Sequence, residues 1–196
     1  LPELGTVSPG QFIPLAEETG FITCLAHGFP TPLARWHFHD EYELHLITAT
    51  SGKAFVGDWI GPFQPGHLVL CGPRLPHNWI SMDMPAGGVA ERDLVVQFEH
   101  GPIAHAAEAM PELAEVMALL ERARHGVEFF GLGERAVQHF HAVKAARGIQ
   151  RLAAFCAYVG DLARCTDFRL LSSVRMQGED DAAGTDQVNA LVKILV

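Results

Sequence analysis

The sequence predicts an α+β fold: a sandwich, jelly roll or small β-barrel followed by a helical region. Two observations carry this. As far as about residue 100, aromatic and β-branched residues fall in short runs cut by Pro- and Gly-rich turns, the pattern of antiparallel strands. Beyond it, apolar residues return at intervals of three and four, the pattern of helices with one buried face. A third observation bounds the number of cores. A chain of 196 residues with 48% hydrophobic content is enough for one packed domain with a helical appendage.

Seven runs read as strands: FITCLAH (21–27), LARWHFH (33–39), YELHLITA (42–49), KAFVGDWI (53–60), HLVLCG (67–72), HNWIS (77–81) and RDLVVQFE (92–99). Between them stand GFPTP, TSG, GPFQPG, GPRLP and MPAGG, whose Pro and Gly residues supply turn geometry. Pro111 suits the first position of a helix with Glu112 and Glu115 in its first turn. Leu113, Val116, Met117, Leu120 and Ala123 form its apolar stripe, and Gly126 closes it. A second helix is predicted over 134–147, and a third over 149–164 with Leu152, Phe155, Cys156, Val159 and Leu162 on one face. QGEDDAAGTD (177–186) reads as a linker. In the final DQVNALVKILV, Asp186 can cap a helix carrying Val188, Leu191, Val192 and Leu195 on one side. That pattern stops without a cap, as the opening turns of a further domain would. The expected organisation is therefore a β-barrel domain over 1–100, a helical region over 101–171, and over 172–196 a linker with the start of a truncated domain.

Lys and Arg number 14 against 23 Asp and Glu, a net charge of −9. That balance argues against nucleic-acid binding by this chain alone, because phosphate neutralisation needs clustered cations. The cysteines Cys24, Cys71, Cys156 and Cys165 show no C-x-x-C spacing and lie in apolar contexts. Buried free thiols are expected, which suits a reducing, cytoplasmic setting. No run of about eighteen uncharged apolar residues and no basic-then-apolar leader is present, so no membrane partner is expected. Nucleotide fingerprints, P-loops, G-x-S-x-G and H-E-x-x-H are missing too.

Six of the 11 histidines lie between residues 27 and 77. His37, His39, Glu43 and His45 share parity, so an extended backbone projects them from one sheet face, unless a bend at Asp40–Glu41 breaks the alternation. His77 follows two turn segments and opens a later strand. Three imidazoles and a carboxylate from His37, His39, Glu43 and His77 can hold a divalent first-row metal: Zn, Ni, Fe or Mn. The rival reading is a polar effector pocket that uses the same side chains as hydrogen-bond donors and acceptors.

The residues WHFHDEYELHLI, GKAFVGDWIGPFQPGHLVLCGPRLPHNW and RDLVVQF resemble the N-terminal cupin-like domain of AraC-type bacterial transcription regulators. The resemblance covers about residues 20–196 and is most specific from Trp36 to Trp79. It implies a cupin-like jelly roll that binds a small effector, followed by helices that form a homodimer. RLLSS (169–173) and DQVNALVKILV resemble the passage into a DNA-binding half with two helix-turn-helix motifs, so DNA is contacted only through a C-terminal half that this sequence lacks. By resemblance to metal-binding cupins, His37, His39 and Glu43 match the first motif and His77 the second. Gly52 stands two residues later than the usual spacing, and Ser81 replaces the expected asparagine.

Four positions are expected to contact a small polar effector, a sugar or sugar acid: Arg35, His45, Trp59 and Gln97. Arg35 shares parity with His37 and would offer a guanidinium to a carboxylate, or else fray to the rim. Gln97 interrupts an apolar strand and needs partners if buried. Trp59 could stack on a sugar ring or serve plain packing. His67, after a Pro-Gly turn, is expected to face solvent. The stripes Leu113/Val116/Leu120 and Leu152/Phe155/Val159 exceed what one barrel face needs, which favours a dimer interface. The leading expectation is a non-enzymatic sensor and dimerisation domain. The alternative is a metal-dependent cupin enzyme, a dioxygenase or sugar isomerase.

Overall fold

A computed structural model describes residues 20–32 and 34–173. The strands are β1 (Ile22–Phe29), β2 (Tyr42–Ile47), β3 (Gly52–Val56), β4 (Trp59–Phe63), β5 (Leu68–Cys71), β6 (His77–Ser81) and β7 (Val89–Phe98). Helices α1 (His100–Ala109) and α2 (Ala114–Ala123) follow, then β8 (Val127–Phe129), α3 (Gly133–Ala145), α4 (Gly148–Arg164) and β9 (Phe168–Leu170). A six-stranded antiparallel sheet has the order β1-β7-β2-β5-β8-β9, and a three-stranded sheet the order β4-β3-β6. The predicted α+β class holds. The expected linker and final helix (177–196) lie outside the described residues.

Period-two alternation divides the larger sheet into two faces. Tyr42, Leu44 and Leu46 of β2, Leu68 and Leu70 of β5, and Leu94, Val96 and Phe98 of β7 all point to the helices. There they join Leu119, Leu120, Phe140, Val143, Phe155 and Val159 in one core. Each such large side chain contributes about 1.5–3 kcal/mol on burial. The opposite residues, Ile47, Val69 and Cys71, meet Ala54, Val56, Phe63, Leu75 and Trp79 of the smaller sheet and its connections. The site described below occupies the remainder of that inter-sheet space.

Several expectations are corrected. The described part of the run expected over 33–39, residues 34–39, is not a strand: of these only His37 pairs, in an isolated bridge to His77. Prolines at 30 and 32 and the bend at Asp40–Glu41 leave too few consecutive extended residues for a ladder. KAFVGDWI is a hairpin. Gly57 lies at φ +57 between Val56 and Trp59, the left-handed backbone that two-residue hairpin turns require, and a Cβ there would collide with Ser172 Oγ. Beside it, the Asp58 carboxylate accepts from the Ser173 backbone N–H and from both serine hydroxyls. Pro111 opens a short 3₁₀ turn over Pro111–Leu113 that leads into α2.

Four of the six stripe positions assigned to a dimer interface face inward instead, while Leu113 is half-buried and Leu152 is exposed. Val116, Leu120, Phe155 and Val159 are buried in this chain's own core, because α2 and α4 cover the helix-facing side of the sheet. Strands β8 and β9 also bind the later part of the chain into the same sheet as β1, β2, β5 and β7. Of the cysteines expected to be buried, Cys71 is buried, Cys24 and Cys165 are half-buried, and Cys156 is exposed, since it turns away from the face that holds Phe155 and Val159. Among the described residues no helix is long and apolar enough to cross a membrane.

Candidate metal centre and its surroundings

Three segments build the site. Strand β2 supplies Glu43 and His45 from its inward face, with Glu43 directly opposite Gln97 of β7. Strand β6 begins at His77. The irregular segment before β2 supplies His37, held by reciprocal backbone hydrogen bonds to His77, and His39, whose carbonyl accepts from the Arg74 N–H. The bend at Asp40–Glu41 therefore does not scatter the odd-numbered residues. One ligand atom from each of His37, His39, Glu43 and His77 lies within 4.8 Å of all the others.

The orientation of each imidazole is fixed from outside the cluster. His37 Nδ1 lies 2.7 Å from the Arg35 carbonyl, His77 Nδ1 2.8 Å from that of Leu75, and His39 Nδ1 3.1 Å from that of Glu41. A carbonyl only accepts, so each Nδ1 carries the proton and donates. This tautomer leaves the Nε2 lone pair to a cation, the outer-shell arrangement that metal-bound histidines use. His77 Nε2 is buried and makes no hydrogen bond, and it lies 3.4 Å from Glu43 Oε1. His39 Nε2 lies 3.0 Å from Glu43 Oε2. Burial and the neighbouring His77 lower His37 to about 3. Burial would lower His39 too, but hydrogen bonds to Glu41 and Glu43 outweigh it and raise His39 to about 10. A proton on His39 Nε2 and a divalent cation thus compete for one lone pair.

Beneath the cluster lies a buried charge network. His45 donates from Nδ1 to Glu43 Oε1 and from Nε2 to Asp93 Oδ1, both at 2.7 Å. A ring with a carboxylate on each nitrogen keeps both protons. Burial alone would lower its pKa, yet Asp93 and Glu43 raise it to about 9. Burial would raise Glu43, but electrostatic attraction to the neighbouring His77 ring and hydrogen bonds from His39 and His45 hold it well below the usual carboxylate range. Arg92, only 1% exposed, clamps Asp93 through Nε and Nη2 at 2.7 and 2.8 Å. His27 Nδ1 approaches the same carboxylate at 3.2 Å. Gln97 donates to Glu43 Oε2 at 2.9 Å. Paired carboxylates and cations in such a network are tolerable only because nearly every charge has a partner.

The free space beside these groups is about 50 Å³, reached past the partly exposed His27, Ala34, Phe38 and Asn78. That holds one or two water molecules. His45 and Gln97 line it, as expected for effector contacts. Arg35 does not. Because residues 34–39 form no strand, parity does not extend to Arg35, which sits exposed at a bend. Trp59 is also outside the cavity. It opens β4, at the edge of the small sheet away from β6, where it packs on the second core cluster with the Arg169 guanidinium 5.1 Å from its ring. His67 is buried at 7% exposure and does not face solvent: Trp79 Nε1 donates to its Nδ1 at 3.2 Å. Trp79 also stacks on His45 at 3.9 Å.

Sequence reasoning missed Arg92, Asp93 and His27. A usable signal existed for Asp93, which shares parity with Gln97 along β7 and so had to point inward. Chemically, three imidazoles oriented through Nδ1 and one carboxylate, with His39 giving up its Nε2 proton to an arriving cation, make a donor set suited to a first-row divalent ion. The orphaned buried Nε2 of His77 supports that fit.

No family model matches the chain, and no curated protein matches it. Among solved structures, it is similar to apo ToxT from Vibrio cholerae strain SCE256 (TM-score 0.45, 10% identity, 91% of this chain and 66% of that one). It is similar in the same degree to ToxT from Vibrio cholerae O395 bound to (E)-4-(8-methylnaphthalen-1-yl)but-3-enoic acid (TM-score 0.45, 10% identity, 89% and 66%). A more distant likeness is to Streptomyces albus HEPD with 2-hydroxyethylphosphonate and Fe(II) bound (TM-score 0.29, 13% identity, 85% and 36%). The chain thus spans 66% of the length of ToxT and 36% of that of HEPD.

Proposed function

We propose that this chain is the effector-sensing and dimerisation domain of an AraC-type DNA-binding transcription regulator. In this reading, the two sheets form a cupin-like jelly roll that encloses a divalent transition metal held by His37, His39, Glu43 and His77. The observation that carries the reading is the state of the groups around the cavity. Glu43, His45, Asp93 and Arg92 are each bonded to another side chain, so they favour holding a ligand over shuttling its protons. A sugar or sugar acid would place one hydroxyl or carboxylate near His45 and Gln97 and keep its body at the mouth, since about 50 Å³ of free space is far below the several hundred Å³ of a whole-ligand pocket.

The metal would organise the centre, with His37, His39 and His77 giving Nε2 and Glu43 giving Oε2 while Oε1 keeps its bond to His45. The homodimer would form on the outer face of α4, where Ile149, Leu152 and Cys156 are exposed. DNA contact belongs to a separate half, and the free thiols suit a cytoplasmic protein. The test is calorimetric titration of the metal-loaded chain with sugars and sugar acids, followed by recovery of the ligand. Saturable binding with the ligand recovered unchanged, and no sequence-specific DNA binding by the chain alone, is the expected result. Chemical conversion of a bound ligand would replace this reading with a metal-dependent dioxygenase or isomerase.

A further inference from the structure

The larger cavity of the molecule is not the one beside the histidine cluster. An open cleft of about 870 Å³ lies between the β4–β5 connection, β8 and the start of α3, within the size range of small-molecule sites. Its walls are largely apolar, from Ile47, Pro62, Phe63, Phe129 and Val137. Its polar lining comprises Thr48, Gln64 and Glu134 and a linked group of three, His67, Glu128 and Arg169. Arg169 Nε donates to Glu128 Oε2 at 2.6 Å, which leaves Oε1 only a loose 3.5 Å approach to His67 Nε2. Both side chains are more than nine-tenths buried, and His67 Nε2 makes no hydrogen bond.

The tautomer of His67 follows from its other nitrogen. Trp79 Nε1–H can only donate, so His67 Nδ1 accepts and, in the neutral ring, Nε2 carries the proton. Burial, followed by repulsion from His45 and Arg169, lowers His67 to about 4 and keeps it neutral. The cleft therefore presents an unused N–H donor next to a carboxylate oxygen that can still accept. We propose that this cleft binds an amphipathic molecule with an apolar ring or chain body and a hydroxyl at its buried end. The hydroxyl accepts from His67 Nε2–H and donates to Glu128 Oε1, a pairing only a group with both functions completes. A carboxylate would face Glu128, and an ether would leave Glu128 without a donor. A bound molecule would also press on the Glu128–Arg169 pair, and Arg169 belongs to β9, which runs directly into Leu171 and Ser172 at the Asp58 clamp.

The site is separate from the histidine cluster and does not depend on a metal there, so the two readings fail independently. The experiment is calorimetric titration of the whole chain with 2-naphthol, 2-methoxynaphthalene and 2-naphthoate, with and without added zinc. Saturable 2-naphthol binding is expected, about tenfold or more tighter than the other two probes, with or without zinc. Val137→Trp fills the cleft without touching the polar group and should abolish binding. Glu128→Gln and His67→Phe should each weaken 2-naphthol by about tenfold and narrow its advantage over the ether. Absence of saturable binding by folded wild-type chain, equal binding of the three probes, or binding unchanged in Val137→Trp would overturn the assignment.

Discussion

The six-stranded sheet is one set of strands with two unlike faces. On the helix side, Leu44, Leu46, Leu94, Val96 and Phe98 join one hydrophobic cluster, and the requirement is shape and volume. On the inner side, the intervening Glu43, His45 and Asp93 are buried too, with Gln97 half-buried beside them, but they meet each other. There the requirement is that each charge find its complement. The first face tolerates a change in proportion to the volume lost. The second responds to loss of one member with an uncompensated charge that has no water to fall back on. Fold is carried by the first face and specificity by the second, at no cost in chain length, because alternation lets each strand serve both.

The sharpest test of that contrast is Asp93→Ala, which strands Arg92 and the His45 imidazolium. A loss of about 3–5 kcal/mol is expected, as for other broken buried pairs, measured by urea denaturation. Leu120→Ala on the opposite face should cost about 2–5 kcal/mol from cavity formation. Replacing Arg92 and Asp93 together by Met and Leu should cost clearly less than Asp93→Ala. A double variant as unstable as the single one would show that the inner face is governed by packing after all.

Metal binding separates the faces next. Purified chain should take up close to one equivalent of zinc or nickel. His39→Ala should weaken it at least about 10–100-fold, the range seen for disturbed metal sites, as read by elemental analysis and competition with a chromophoric chelator. Uptake should weaken as pH falls, by about tenfold per unit where one proton is displaced. Unaltered binding in His39→Ala would remove the cluster from consideration.

A smaller effect concerns protons alone. In metal-free protein, His45 is raised from 6.5 to about 9 on folding. Its stabilisation is fully present below about pH 6.5 and is lost as pH rises through 9. His67 is lowered to about 4, so its contribution is lost as pH falls from 6.5 towards 4. Melting temperature should therefore peak near neutrality, and His45→Gln should flatten the alkaline side. The smallest change in stability, within about 0.5 kcal/mol as for ordinary surface positions, is expected for Leu152→Asp on the exposed face of α4. Light scattering should nonetheless show a dimer become a monomer; a wild-type monomer at tens of micromolar would discard that interface.

The inward placing of Glu43 and His45 was legible because periodicity is a local property, and His77 could be placed by its turn-bounded strand, whereas His37 and His39 join them through backbone bonds to His77 and Arg74 and not through a strand. Arg35 was misplaced because parity fails wherever a strand does, and two nearby prolines were the warning. Trp59 and His67 could not be placed from local pattern, since what decides them is which edge of a sheet lies across the interior. Strands β8 and β9 have three residues each, too short for alternation to register. Helix α1 buries only Ile103, so it writes almost no apolar stripe. Asp93 was recoverable in principle, by extending to β7 the parity argument already used for β2.

Trp79 stands between the two cavities, with one face stacked on His45 and its N–H on His67. An indole so held is an optical gauge built into the interior. A cation arriving at Glu43 changes the field across its ring from one side, and a ligand engaging His67 changes the polarity at its nitrogen from the other. Its ultraviolet emission should register the two events with different signatures, so occupancy of each cavity can be followed in the unlabelled protein once Trp36 and Trp59 are replaced by Phe.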